Sequence, residues 1–129
     1  LAPPMRTQAL LVSSTNILIT AHGAALTHLP LLPEGAVVLE LFNCEHFAYG
    51  YANLARASQL YYEAVRRPER ECQEPRDLIG DTRARMNENY AYTLDVIAPF
   101  VRRAIRYQWW FDHPSSDWGL GSEAEAANA

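Results

Sequence analysis

At 129 residues and 14.6 kDa the chain has room for one domain, and its balance of 49% apolar to 20% charged residues excludes a disordered tail, a collagen-like repeat or a small disulfide scaffold. A domain of this size buries roughly two thirds of its unfolded surface, enough for a core without metal or disulfide. The formal charge of −4, from 15 acidic and 11 basic residues with every basic one an Arg, argues against nucleic acid as a partner.

No run of apolar residues is long enough to cross a membrane, and the opening Leu1-Ala2-Pro3-Pro4-Met5 lacks the charged and apolar regions of a signal peptide. A start at Leu rather than Met reads as a fragment; if a longer parent carries an anchor or targeting segment, it is expected upstream of this piece. Cys44 and Cys72 form either one bridge or two buried thiols. Oxidised, they would contribute about 3 to 4 kcal/mol by closing the intervening loop, and their spacing matches no common zinc or redox pattern.

Along the chain, residues 6–14 predict a short helix, and Ser13, Ser14 and Thr15 punctuate its end. Ile17 to Ala21 is an apolar run without period-two polarity, as expected of a parallel strand covered on both faces. His22-Gly23 follows, then a small-residue segment closed by Pro30 and by Pro33-Glu34-Gly35, which together read as a strand-turn-helix step. Ala36 to Phe42 is a second buried strand with one charge, Glu40. Phe47, Tyr51, Leu54 and Ala55 mark the next helix, and Leu60 to Val65 a third strand.

This alternation predicts an α/β fold with a parallel sheet and helices on both faces. Residues 66–88, dense in both charge signs, read as a surface loop or insertion. A short fourth strand is expected at Tyr90 to Asp95, then a helix with Ile97, Phe100, Val101, Ala104 and Ile105 on one face and Arg102, Arg103 and Arg106 on the other. Pro99 is expected in that helix's first turn. The domain is expected to span residues 1–110, with 111–129 a frayed tail.

In open parallel sheets ligands bind beyond the carboxyl ends of the strands, which is where His22-Gly23-Ala24-Ala25 falls. Gly23 allows close backbone approach, and the unpaired N–H groups of a helix start hold an anion such as phosphate, to which His22 adds a hydrogen bond or a proton. The plain alternatives are a turn that exists for packing, a His22 that caps the helix locally, and a Glu40 that pairs with an Arg across the sheet.

The segment ILITAHGAALTHLPLLPEGAVVLELF, Ile17 to Phe42, resembles the C-terminal signature of glycosyltransferase family 61: a strand, HGAGLT, a stretch like LLFLPPG, then a strand ending in Glu. His22, Gly23, Ala24, Leu26, Thr27, Leu32, Pro33, Gly35, Val38 and Glu40 fall on it; Gln8 and Tyr51 to Tyr62 resemble flanking features. Ala25 stands where the family more often has Gly, which would add a methyl at a close-packed point, and Pro30 stands where it has an apolar residue, which would shorten the helix.

The resemblance implies a two-domain GT-B enzyme whose C-terminal, Rossmann-like half holds a sugar nucleotide, usually a UDP-sugar. The acceptor site would come largely from an N-terminal domain missing here. It implies an inverting, metal-independent transfer of xylose, arabinose or N-acetylglucosamine to a glycan or glycoprotein, with no cofactor beyond the donor; eukaryotic members of the family work in the Golgi or endoplasmic reticulum lumen and bacterial ones in polysaccharide synthesis. The absence of Asp-x-Asp from the chain agrees with the metal-independent reading. On this reading the donor residues are His22, Gly23, Ala24, Ala25, Leu26 and Thr27 around the diphosphate, with Thr27 steadying the helix or reaching a phosphate oxygen and Glu40 accepting from ribose hydroxyls.

No catalytic base is identified within the chain. The alternative function is a non-catalytic, degenerate module that keeps the scaffold and binds protein or glycan. A hydrolase oxyanion turn is excluded by the lack of Gly-x-Ser-x-Gly, and a metal site from Cys44 and His46 has no standard spacing. Trp109-Trp110-Phe111 with Trp118 reads either as a sugar-stacking platform or as a contact with another domain.

Overall fold

A computed structural model describes residues 3–43, 49–66 and 92–114. Helix α1 is Met5–Ser13, strand β1 Ile17–Ala21, a 3-10 helix covers Ala24–Leu31, and strand β2 is Val37–Phe42. Helix α2, Gly50–Ala57, strand β3, Tyr61–Arg66, and helix α3, Leu94–Asp112, follow. The strands form one parallel sheet in the order β1-β2-β3. Among the described residues no helix is long and apolar enough to cross a membrane.

Register decides what each face carries. Ile17 pairs with Val37 and Val37 with Tyr61, so Leu18, Val38 and Tyr62 point to one face and Ile17, Val37 and Tyr61 to the other. The first face is covered by the crossover elements: Leu26, Leu29 and Leu32 in and after the 3-10 helix, Ala55 in α2 and Leu60 join Val38 in a buried cluster, with Val12 of α1 packed against it. The second face is covered by α3, whose Ala104 is buried with Val37, Leu39 and Val65. Helices on both faces are what an apolar parallel sheet requires, and the order agrees with a Rossmann-like unit.

Local chemistry sets the ends of the elements. The hydroxyls of Ser13, Ser14 and Thr15 donate to the carbonyls of Leu10 and Leu11 and close α1. Ala36 N–H donates to Pro33 C=O at 3.1 Å around a turn in which Gly35 holds φ 76°, a conformation a side chain resists. A Cβ at Gly35 would also run into the ring of Phe111. Helix α2 ends in a Schellman motif: Leu60 N–H reaches Ala55 C=O at 3.0 Å and Gln59 N–H reaches Arg56 C=O at 3.2 Å, with Gln59 at φ 57°.

Five expectations change. The helix after Gly23 is 3-10 rather than α, because Pro30 would clash in an α-helix. The Thr27 hydroxyl and His28 Nδ1 also take the carbonyls three residues back. No strand forms across residues 92–95: Thr93 is the extended cap residue and Leu94 opens α3, while Tyr90 lies outside the described residues. Helix α3 therefore starts early enough to put Pro99 beyond its first turn. Its packed side is Val96, Phe100, Val101, Ala104 and Tyr107, whereas Ile105 is 55% exposed. Helix α3 runs on to Asp112, past residue 110.

The loop at 67–88, Cys44, His46, Phe47, Cys72 and Trp118 lie outside the described residues.

Candidate functional site

The site forms where β1 ends. His22 N–H donates to Leu41 C=O at 2.9 Å, which carries the ladder one residue past β1 and sets the His22 side chain on the crossover face, the face of Glu40. There His22 Nδ1 pairs with Glu40 Oε1. Tyr62 Oη donates to the other carboxylate oxygen, Oε2, at 2.5 Å. Tyr62 lies opposite Val38, so its hydroxyl reaches diagonally along the same face to Glu40. Three strands thus contribute to one cluster: His22 after β1, Glu40 on β2 and Tyr62 on β3.

Glu40 is fully buried, and among the described residues it is the only charged or polar one that is. A buried carboxyl group persists only when its oxygens find polar partners, and here each has one. The His22 side chain is 20% exposed. Its ring stacks on Phe42 at 5.2 Å and lies tilted against Tyr51 of α2 at 5.5 Å, so two aromatic rings limit its rotation. Burial first, then the hydrogen bond to Glu40 and that carboxylate's charge, hold the Tyr62 hydroxyl well above the ordinary tyrosine range, against a downward pull from Arg66.

Beyond His22 the backbone is extended at Gly23, and a Cβ placed there meets nothing within 4 Å. Packing does not require glycine at this position, and the space in front of it is open. The first helical bond runs from Leu26 N–H to Gly23 C=O at 3.1 Å, so the N–H groups of Ala24 and Ala25 precede any carbonyl the helix can offer them.

The expected site residues separate into distinct positions. His22 and Glu40 are in contact, with Gly23, Ala24 and Ala25 adjacent along the backbone. Leu26 turns its side chain wholly into the core. Thr27 donates its hydroxyl to Ala24 C=O at 2.7 Å, which braces the helix. Ala25 is exposed, so its methyl crowds no packed point. Glu40 is fully buried, and its partners are His22 and Tyr62 rather than an Arg across the sheet. His28 is turned to Ala25 C=O through Nδ1.

Tyr62, Tyr51 and Phe42 were not anticipated at the site. Their signal in the sequence is positional: once β2 and β3 pair in parallel, a Tyr two residues before the partner of Glu40 is within reach of its carboxylate. Trp109, Trp110 and Phe111 are partly exposed at the end of α3, where Trp109 stacks on His113 at 4.7 Å and Phe111 closes over Gly35. Among the described residues no three His, Cys, Asp or Glu side chains form a group that could hold a metal ion.

No family model matches the chain, and no solved structure matches it. It is similar to curated proteins named EGF domain-specific O-linked N-acetylglucosamine transferase. Identity to the protein of Rattus norvegicus is 44% over 61 residues, 47% of this chain and 11% of that protein. The Drosophila melanogaster protein is 40% identical over 76 residues, 59% of this chain and 13% of the relative. The Xenopus laevis protein is 47% identical over 55 residues, 43% of this chain and 10% of the relative. The matched part of the chain therefore spans about a tenth of the length of these relatives.

Proposed function

We propose that the chain is the donor-binding part of a glycosyltransferase of the family 61 type, holding the diphosphate of a UDP-sugar at the turn from His22 to Thr27. The observation that carries this reading is the Gly23 turn: a glycine with open space in front of it, at the carboxyl end of a parallel strand, between a held imidazole and the first N–H groups of a helix. Such a turn suits a doubly charged anion because backbone N–H groups and the helix dipole face it together. The similarity to N-acetylglucosamine transferases supports a sugar-nucleotide ligand, and makes N-acetylglucosamine the sugar and an EGF domain the acceptor of first choice.

In this reading the fold is the Rossmann-like donor half of a GT-B enzyme, and the reaction inverts the anomeric carbon without metal. Inversion needs a base for the acceptor hydroxyl, an in-line approach, and donors for the leaving diphosphate. The chain supplies the third. His22 and the N–H groups of Gly23, Ala24 and Ala25 face the diphosphate as negative charge grows on it, while Leu26 N–H closes the first turn on Gly23 C=O and Thr27 braces the helix that follows. On this reading the base and much of the acceptor site belong to another domain of the parent protein, which in a eukaryote acts in the Golgi or endoplasmic reticulum lumen.

Calorimetric titration of UDP, without metal, into the chain and a His22→Ala variant tests this. Saturable binding that weakens at least tenfold in the variant supports the reading. A folded wild-type chain that takes up no UDP overturns it in favour of a non-catalytic module that binds protein or glycan.

A further inference from the structure

Glu40 and Tyr62 do more chemistry than a phosphate-holding turn needs. A fully buried carboxylate is not required by the packing, since apolar residues of similar volume commonly serve a core as well or better. Its two oxygens instead face two donors with different constraints. The Tyr62 hydroxyl can only help Glu40 by donating to Oε2, at 2.5 Å. An ionised carboxylate accepts and does not donate, so a Glu40 in that form takes the proton of His22 Nδ1 in the bond between them. Phe42 on one side and Tyr51 on the other fix the plane of the same ring.

We propose that Glu40 and Tyr62 are positioning residues: they hold the His22 imidazole in one orientation and in the tautomer protonated at Nδ1, so that the ring meets its ligand through Nε2 alone. The proposal rests on the donor-site reading only for the identity of that ligand. A buried acceptor on one ring nitrogen sets what the other nitrogen can do, and loss of such an acceptor weakens the site without any ligand contact being removed. Tyr62 acts one step further back by holding the carboxylate in place from β3. The site at the end of β1 is thereby tied to the opposite edge of the sheet.

The test uses the chain with 15N-labelled histidine, at a pH where the ring is neutral, as wild type, Glu40→Gln and Tyr62→Phe. Ring 15N shifts identify the protonated nitrogen, and UDP titration reads the consequence. The expected wild-type signature is a His22 ring protonated at Nδ1. Glu40→Gln should lose the single tautomer and weaken UDP about tenfold, and Tyr62→Phe should keep the tautomer and weaken UDP about threefold.

A wild-type ring protonated at Nε2, or a tautomer unchanged by Glu40→Gln, overturns the proposal. If the wild-type chain binds UDP and Glu40→Gln binds it equally well, positioning fails while the donor reading stands. If the wild-type chain binds no UDP, the donor reading fails, and the tautomer in Glu40→Gln still decides between holding and not holding the ring. Should Glu40→Gln not fold, the wild-type tautomer and the Tyr62→Phe affinity decide.

Discussion

The two faces of the sheet bury different things. Under α3 the fully buried residues are Val37, Leu39, Val65 and Ala104, and the side-chain polar contacts lie around them: Arg103 with Glu63 at 2.5 Å at the partly exposed rim, and the Tyr92 hydroxyl donating to Val65 C=O at 3.1 Å. On the crossover face Val38 is followed two residues later by Glu40, equally buried, with His22 and Tyr62 on its oxygens. Neighbouring positions of β2 thus serve opposite ends: Leu39 holds α3, and Glu40 holds a side chain at the edge of the open turn. Polar groups are buried where a site needs them set, and apolar ones where only cohesion is needed.

The largest effects should come from large-to-small changes that separate the faces. Leu39→Ala is expected to cost about 3 kcal/mol and to leave UDP affinity unchanged at temperatures where the variant is folded; Phe42→Ala should cost about 4 kcal/mol and weaken UDP as well, because it removes the ring under His22. Denaturant unfolding with UDP titration checks both, and an equal loss of affinity from Leu39→Ala would erase the distinction.

Gly35→Ala comes next, at about 2 to 3 kcal/mol, from the left-handed backbone together with the collision with Phe111. Combining it with Phe111→Ala should recover the part due to the clash and leave the backbone part, roughly 1 to 2 kcal/mol, in place.

Tyr62→Phe leaves Glu40 Oε2 buried without a donor and should cost about 1 to 3 kcal/mol. Its pH dependence has a definite sign. The hydroxyl is held protonated more tightly in the fold than in the unfolded chain, so its contribution is complete below the unfolded value of 10.0 and is lost as pH rises through the folded one. The stability gap between wild type and Tyr62→Phe should be flat to about pH 9 and narrow above pH 10; a gap that widens there would contradict the assignment.

The smallest effect is a gain. Gln59 holds a left-handed φ at the end of α2, and Gln59→Gly should stabilise by about 0.5 kcal/mol without touching either face, as read from the melting temperature.

The sheet was legible because its strands are short apolar runs bounded by His22-Gly23, Pro33-Glu34-Gly35 and the charges after Val65. Its three-stranded parallel order followed from the helices between them. The face of α3 was less so: Ile105 carries the right chemistry for a core position, but the early start at Leu94 and the contacts of Val96 and Tyr107 set a different side inward. Likewise Pro30, which sets the 3-10 geometry, was visible, while the Thr27 and His28 side chains taking carbonyls three residues back were not.

At the site, His22 and Gly23 could be read from their place at a strand end. The partners of Glu40 could not, because they are distant in sequence and meet only through strand register.

The central claim, that the open space before Gly23 is where the diphosphate lies, is tested most directly by Gly23→Ala. The added methyl meets no protein atom within 4 Å, so the melting temperature should stay at the wild-type value. UDP affinity by calorimetry should nonetheless fall at least tenfold, because the methyl occupies the approach to the N–H groups of Ala24 and Ala25. A Gly23→Ala chain that melts normally and binds UDP as the wild type does would contradict it.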